Sequence, residues 1–416
     1  MAQGEQINPG ILVWARETAG FDIRDAAHKL AFTAGDDSSN QTKLLEMERG
    51  DRLPTRTQLS KIAKMYRRPL LTFYLSNPPK KSERGSDFRT TGADVNPKDN
   101  GLLNAIVRDI QARQEMLTSA LEDEDDLDPL SFVASCSLSD DPQKIAALVR
   151  TTLHLPATPE GRPSSPDELF KFLRTGIESM GVYVLLVGDL GSHHSALSED
   201  VFRGFALADP RVPFVVINDQ DARTARSFTL IHELVHIYLG ESGISGASEQ
   251  HEGDGDAAKI EQFCNDAASY VLLPGSFEVD RPAVLRNADA TATQLYIERT
   301  ARTWAVSEPL VAFRLRRLGW ITPALHQQFS NAYAQRWKDQ KASSKAKNQM
   351  KEGGPSYYTV KQYRLGDALV DAVRRTVRDN RLTHTKAAKI LGMKPASVEP
   401  MFRHFEKFRF SYGDRS

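Results

Sequence analysis

The chain has 416 residues, 54 basic side chains against 54 acidic ones, and 40% hydrophobic residues. At about 150 residues per domain this length predicts two or three domains. The zero net charge excludes a wholesale polyanion binder, so any nucleic-acid contact must come from a local patch. The two cysteines, Cys136 and Cys264, can make neither a disulfide framework nor a four-thiolate zinc site, which fits a reducing cytoplasm. The opening "MAQGEQINPG" has no charged segment leading into an apolar one, and no run of about 18 apolar residues occurs. Neither export nor a membrane span is expected.

Residues 8–77 read as short helices: "NPGILVWARETAG", "DIRDAAHKL", "SSNQTKLLEMERG" and "RTQLSKIAKMYR", broken by Gly, Asp, Ser and Pro. Helices of about ten residues on tight turns suit a helix-turn-helix, whose second helix enters the major groove. A small helical bundle with no ligand is the alternative. A helical stretch follows from about 99 to 122 and runs into the solvated acidic block "EDEDDLD". Another covers roughly 140–180, interrupted at "PATPEGRPSSP". The pattern then turns extended, with "GVYVLLVG", "FRGFALAD" and "VPFVVIND" predicted as the strands of a small sheet.

The helix "FTLIHELVHIYLG" comes next, followed by a second, "GDAAKIEQFCNDAASYVLL", that ends at Pro274. Helices continue to about Trp337. The Lys-rich stretch "KDQKASSKAKNQMKEGGPS" reads as a flexible linker, and three further helical segments complete the chain.

Chemistry concentrates on the helix at 228–240. Residues four apart share a helix face, so His232 and His236 can offer two imidazoles to one metal with Glu233 beside them. A satisfied structural histidine explains one of these groups but not the set, because three polar side chains on so apolar a helix are costly to bury unpaired. Catalytic zinc takes three protein ligands and leaves one position for water. Glu261, on the downstream helix, is the expected third ligand, with Asn265 one turn on as a hydrogen-bonding support. His193, His194 and His251, in polar contexts, compete for the role. With Zn2+ bound, Glu233 takes a proton from water as it attacks a carbonyl. Tyr238, Tyr270 and the loop histidines are candidates to stabilise the oxyanion. Cys264 beside Asn265 invites a redox-switch idea, against which stands the plain reading of a small buried side chain.

At this point the chain resembles the ImmA/IrrE metallopeptidases in the architecture where a Xre-type helix-turn-helix precedes the peptidase domain. The stretch from "FRGFALADPRVPFVVIND" through "HELVHIYLGESGIS" resembles the family's strand-turn-helix core. "EQFCNDAASYVLLP" resembles its second motif, whose Glu falls on Glu261; "DFR" at 87–89 and "RLRRLGWIT" at 314–322 resemble flanking signatures. "MERGDRLPTRTQLSKIAKMYRRPLLTFYL" resembles the end of a Xre module, with Glu48, Gly50 and Pro54 matching its turn. Three positions depart from the pattern. Asp266, Ala267 and Ala268 stand where a Phe-Ala pair is usual, Met47 replaces an aromatic, and Asp36 and Asp37 precede the presumed recognition helix.

The resemblance implies a predominantly helical α+β protein: a helix-turn-helix bundle at 1–80, a helical connecting region at 81–180, and a zincin-like metallopeptidase core with a small sheet at 181–337. A linker at 338–356 and a helical domain at 357–416 complete the layout. Ser39, Asn40, Gln41 and Lys43 open the helix expected in the groove of double-stranded operator DNA, with Arg49, Arg52 and Arg56 as phosphate contacts. Three readings follow: an endopeptidase that cleaves or inactivates a partner repressor; an operator-binding antitoxin whose peptidase fold grips a PIN-like ribonuclease toxin; and a metal-free structural protein. A homodimer stays open.

Overall fold

The computed structural model describes residues 7–33, 36–79, 96–122, 127–191, 195–245, 255–275, 282–285, 289–349 and 354–412. It divides into two compact units, residues 1–110 with 189–197, and residues 111–188 with 198–416.

The first unit is helical. It contains α1 (Pro9–Thr18), α2 (Ile23–Leu30), α3 (Asp37–Arg49), α4 (Arg56–Tyr66), a short 3₁₀ turn and the start of α5 (Pro97–Leu121). Side-chain caps set the helix starts: Asn8, Asp22, Asp36 and Thr55 each accept a backbone N–H of the first turn, the last within a reciprocal capping box with Gln58. Ile11, Leu12, Leu44, Met47, Leu59, Ile62 and Phe73 close the core. Met47, where an aromatic is usual, is 1% exposed and fills that core. A bidentate pair, Arg16 Nε and Nη2 to the Glu48 carboxylate at 2.8 and 3.1 Å, joins α1 to α3 at a half-buried position.

The second unit is built on a four-stranded sheet of β1 (Tyr183–Leu186), β2 (Gly204–Leu207), β3 (Phe214–Ile217) and β4 (Gly243–Ser245), in the order β1-β3-β2-β4. β1 runs parallel to β3, and the other pairs are antiparallel. Central strands covered on both faces read as continuous apolar runs, which is why the first three were legible. β4 was not expected, because three residues carry too little pattern; its pairing with β2 makes it a strand.

α7 (Pro166–Ser179) and α8 (Arg226–Leu239) pack on the sheet, α9 (Asp256–Leu272) packs on α8 and on α6 (Pro142–Thr152), and α10 (Ala290–Trp304) packs on α11 (Glu308–Arg317). Ile145, Val149, Leu169, Leu173 and Ile177 of α6 and α7 share one core with the sheet and α8, so this unit extends well before residue 181. The long α12 (Pro323–Gln349) follows. It runs straight through residues 338–349, where composition led us to expect the linker of 338–356. Ala, Lys and Gln are good helix formers, so a Lys-rich polar stretch that mimics a linker in composition still propagates a helix.

The chain closes with α13 (Tyr357–Leu365), α14 (Asp367–Arg378), α15 (His384–Ile390) and α16 (Val398–Tyr412). Residues 357–416 do not stand apart as the expected separate domain: α13 and α14 dock onto the β1 edge. Buried Arg174 donates to Val184 O at 2.5 Å and Tyr363 O at 2.6 Å, and pairs with Glu178 at 2.9 Å. Gly366, between α13 and α14, sits at φ +81° and ψ 154°, a region essentially restricted to glycine. A Cβ there would lie 2.9 Å from Val184 O and collide with the Arg174–Glu178 pair. Gly366→Ala is expected to destabilise the second unit by about 2 kcal/mol or more, read as a lowered thermal or denaturant midpoint. An unchanged midpoint would show that the C-terminal helices are not seated on the sheet in this way.

Candidate metal centre

α8 begins after a turn rich in small and polar residues and ends at Gly240. Its length lies almost wholly inside the protein, with His232, Glu233 and His236 exposed by 3%, 0% and 2%. The two imidazoles point to one place, His232 Nε2 and His236 Nε2 being 3.1 Å apart. Glu261, on α9, places Oε2 3.3 Å from His232 Nε2 and Oε1 3.3 Å from His236 Nε2. These three residues form the one group of potential metal ligands found among the described residues.

The triangle tests the fit to a metal. Zinc bonds of about 2.0–2.1 Å in tetrahedral geometry hold ligand atoms about 3.3 Å apart; the two imidazole nitrogens are 3.1 Å apart and each lies 3.3 Å from a different oxygen of Glu261. Each imidazole can donate an Nε2–H to one Glu261 oxygen, and a divalent cation can replace those two protons and be held by all three groups at once. The donor set is suited to zinc, which in catalytic sites takes three protein ligands and keeps its fourth position for water.

Electrostatics separate the two carboxylates. Burial opposes ionisation of Glu261, but hydrogen bonds and charge from His232 and His236 outweigh it and hold the carboxyl well below its usual range. Glu233 goes the other way: burial pushes its pKa up to about 8, against the pull of His236 and the Ser245 hydroxyl and with added repulsion from Glu261. Neither Glu233 oxygen has a well-formed hydrogen bond. Opposite it, Gly204 of β2 leaves the space the carboxylate occupies, since a Cβ there would lie 2.8 Å from Glu233 Oε1 and 3.0 Å from Val216 O.

Other expected residues fall elsewhere. Asn265 forms no hydrogen bond to the imidazoles or to Glu261 among the described residues; instead it lines a neighbouring cavity. Tyr238, two residues past His236, is turned about 200° round the helix and packs on Phe132 with ring centroids 5.2 Å apart. Tyr270 lies under the Arg314 guanidinium, 3.8 Å from its ring centroid. His193, His194, His251 and the "DFR" signature lie outside the described residues. Cys264 is fully buried, and burial drives its thiol well above the ordinary value, which leaves no reactive thiolate.

The position where Phe-Ala is usual also acquires a role. Asp266 pairs with Arg317, and Arg314 donates to Ser269 Oγ at 3.3 Å, so "RLRRLGW" braces the ligand helix α9.

In the helical unit, Asn40 is 1% exposed, and its amide makes two 2.8 Å hydrogen bonds to the Thr33 backbone. It fastens the α2–α3 connection and is not available to a base edge. Lys43 Nζ donates to Thr33 Oγ1 at 2.5 Å. Ser39 and Gln41 are half-buried, Arg49 and Arg56 are exposed, and Arg52 pairs with Glu46 at 3.7 Å. Asp36 caps α3 and Asp37 pairs with His28 at 2.9 Å, so the helix starts acidic.

A small mixed sheet lies beneath a helix with paired histidines, completed by a carboxylate from the next helix, an arrangement similar to that of zincin-like metallopeptidases. Residues 181–316 match the peptidase family model described as the IrrE N-terminal-like domain, a span running from β1 through most of α11. That match supports the ImmA/IrrE resemblance over the metal-centre region. No curated protein and no solved structure matches the chain. No helix among the described residues is long and apolar enough to cross a membrane.

If the triangle is the metal site, purified protein should carry about one zinc per chain by elemental analysis, and Glu261→Ala should lose most of it. Stoichiometric zinc retained in that variant would place the third ligand elsewhere.

Proposed function

We propose that the chain is a DNA-binding regulator whose second unit is a zinc metallo-endopeptidase, cleaving or inactivating a partner regulatory protein. The observation behind the enzymatic reading is Glu233: a fully buried carboxylate, without a well-formed hydrogen bond, beside two imidazoles that converge on a third ligand. Leaving a carboxylate so placed costs on the order of several kcal/mol, and a scaffold that merely grips a toxin has no use for it.

His232, His236 and Glu261 would hold the zinc, which when bound supplies Lewis-acid activation of water and of the scissile carbonyl. Glu233 receives the proton of the attacking water on its carboxylate and passes it to the leaving amine. Burial, by raising its proton affinity, suits it to accept and then donate near neutral pH. β4 ends the sheet on the side opposite the C-terminal helices, and an extended peptide segment adding to that edge would run beside Ser245 and Glu233.

Glu233→Gln should keep metal and fold while cleavage of the partner falls to background; capture of that partner on the inactive variant would identify it. Cleavage that persists in Glu233→Gln would remove Glu233 as the base.

The DNA-binding part rests on the resemblance and on the α2–α3 pair, with Gln41, Arg49 and Arg56 as the available contacts. Operator affinity should fall steeply with salt and vanish on deletion of residues 1–80. Affinity that survives the deletion, or ignores salt, would move DNA binding off this unit.

A further inference from the structure

A cavity of about 400 Å³ lies along the amino-terminal half of α8, walled by α11 and α12. Phe228 and Asn265 line it, each one helical turn from a metal ligand. The Phe228 ring centroid is 6.1 Å from that of His232. The cavity therefore borders both ligand-bearing helices, although His232, Glu233, His236 and Glu261 do not line it.

Its body is aromatic, with Phe228, Phe313, Tyr333 and Trp337 around it. Its lining carries charges of both signs, Arg203, Arg316 and Lys338 with Glu199, Asp200 and Asp221. Glu199 is already engaged by Trp337 Nε1 at 2.6 Å and Lys341 Nζ at 2.7 Å. Among the described residues the Tyr333 hydroxyl, Asp221 Oδ2 and Arg203 Nε make no hydrogen bond, although the Asp221 and Arg203 charges attract each other. Tyr333 and Asp221 are 7% and 5% exposed.

These features discriminate among occupants. A cation would enter against Arg203, Arg316 and Lys338 and an anion against Asp200 and Asp221, so either meets like charge in the lining and each loses its hydration. An aliphatic side chain would leave the unpartnered donor and acceptors unanswered. A neutral aromatic side chain with a polar tip places its ring among the four rings and its O–H or N–H among those groups.

We propose that this cavity receives a tyrosine or tryptophan side chain of the protein cleaved at the metal centre. It thereby sets which residue lies close to the scissile bond. The biological use rests on the endopeptidase reading, but the preference itself is a property of binding and needs no turnover.

The test titrates the full-length protein by calorimetry with the N-acetyl amides of tyrosine, tryptophan, leucine and arginine. The two aromatic amides are expected to bind at least about tenfold more tightly than the others, equivalent to about 1.4 kcal/mol. Ala334→Trp fills the cavity from an exposed position on α12 and should weaken the aromatic amides by at least about tenfold. Phe313→Ala, which empties a wall instead, should weaken them as well. Equal or tighter binding of the leucine or arginine amide, absence of binding by all four, or affinities unchanged in either variant would overturn the proposal. Aromatic selectivity in a protein that cleaves nothing would keep the cavity assignment and count against the endopeptidase reading alone.

Discussion

The second unit is organised around the burial of three polar side chains on one apolar helix. His232, Glu233 and His236 are almost wholly withdrawn from water. Two imidazoles become acceptable there because Glu261 arrives from α9 to share their focus. Glu233 is relieved only in part, by His236 and the Ser245 hydroxyl, and a side chain at Gly204 would collide with it. Such an arrangement spends stability on one buried, strongly perturbed carboxyl group, the feature on which the proposed enzymatic reading rests.

The rest of the unit holds those two helices in place. The carbonyl end of α9 is gripped by Arg150 at Val271 O, 2.8 Å, and by Arg162 at Leu272 O, 3.0 Å. Its middle is tied to α11 through Asp266 and Arg317. The turn leading into α8 is held from the other end of the chain: Arg364 pairs with Asp219, and Tyr363 OH receives a 3.4 Å hydrogen bond from Arg226. The C-terminal helices thus cover the β1 edge and brace the approach to the metal helix at once. They belong to the construction of the site.

Legibility in the sequence followed the range over which each signal acts. The i, i+4 histidines and the adjacent glutamate were readable because a helix alone fixes their common face. Glu261 was readable because its helix is near in sequence and offers a carboxylate at a turn that can face α8. Asn265 and Asn40 went the other way for one reason: an amide suits a ligand clamp, a base contact or a backbone staple equally, and only its neighbours choose among them. Asn40 found the Thr33 backbone. β4 and the helical course of 338–349 were missed because three residues carry no period and a lysine-rich helix resembles a linker in composition.

By itself the amino-acid sequence determined the helix carrying His232, Glu233 and His236, the apolar strands beneath it, and the carboxylate able to complete the trio. These depend on local periodicity and on the chemistry of single side chains. Tertiary structure alone decided the distances within the trio and the burial that sets Glu233 apart from Glu261. It also decided the seating of the C-terminal helices on β1 and the cavity assembled from residues between 199 and 338. Those features arise where segments distant in the chain meet, and the cost or gain of each meeting is written in no single segment.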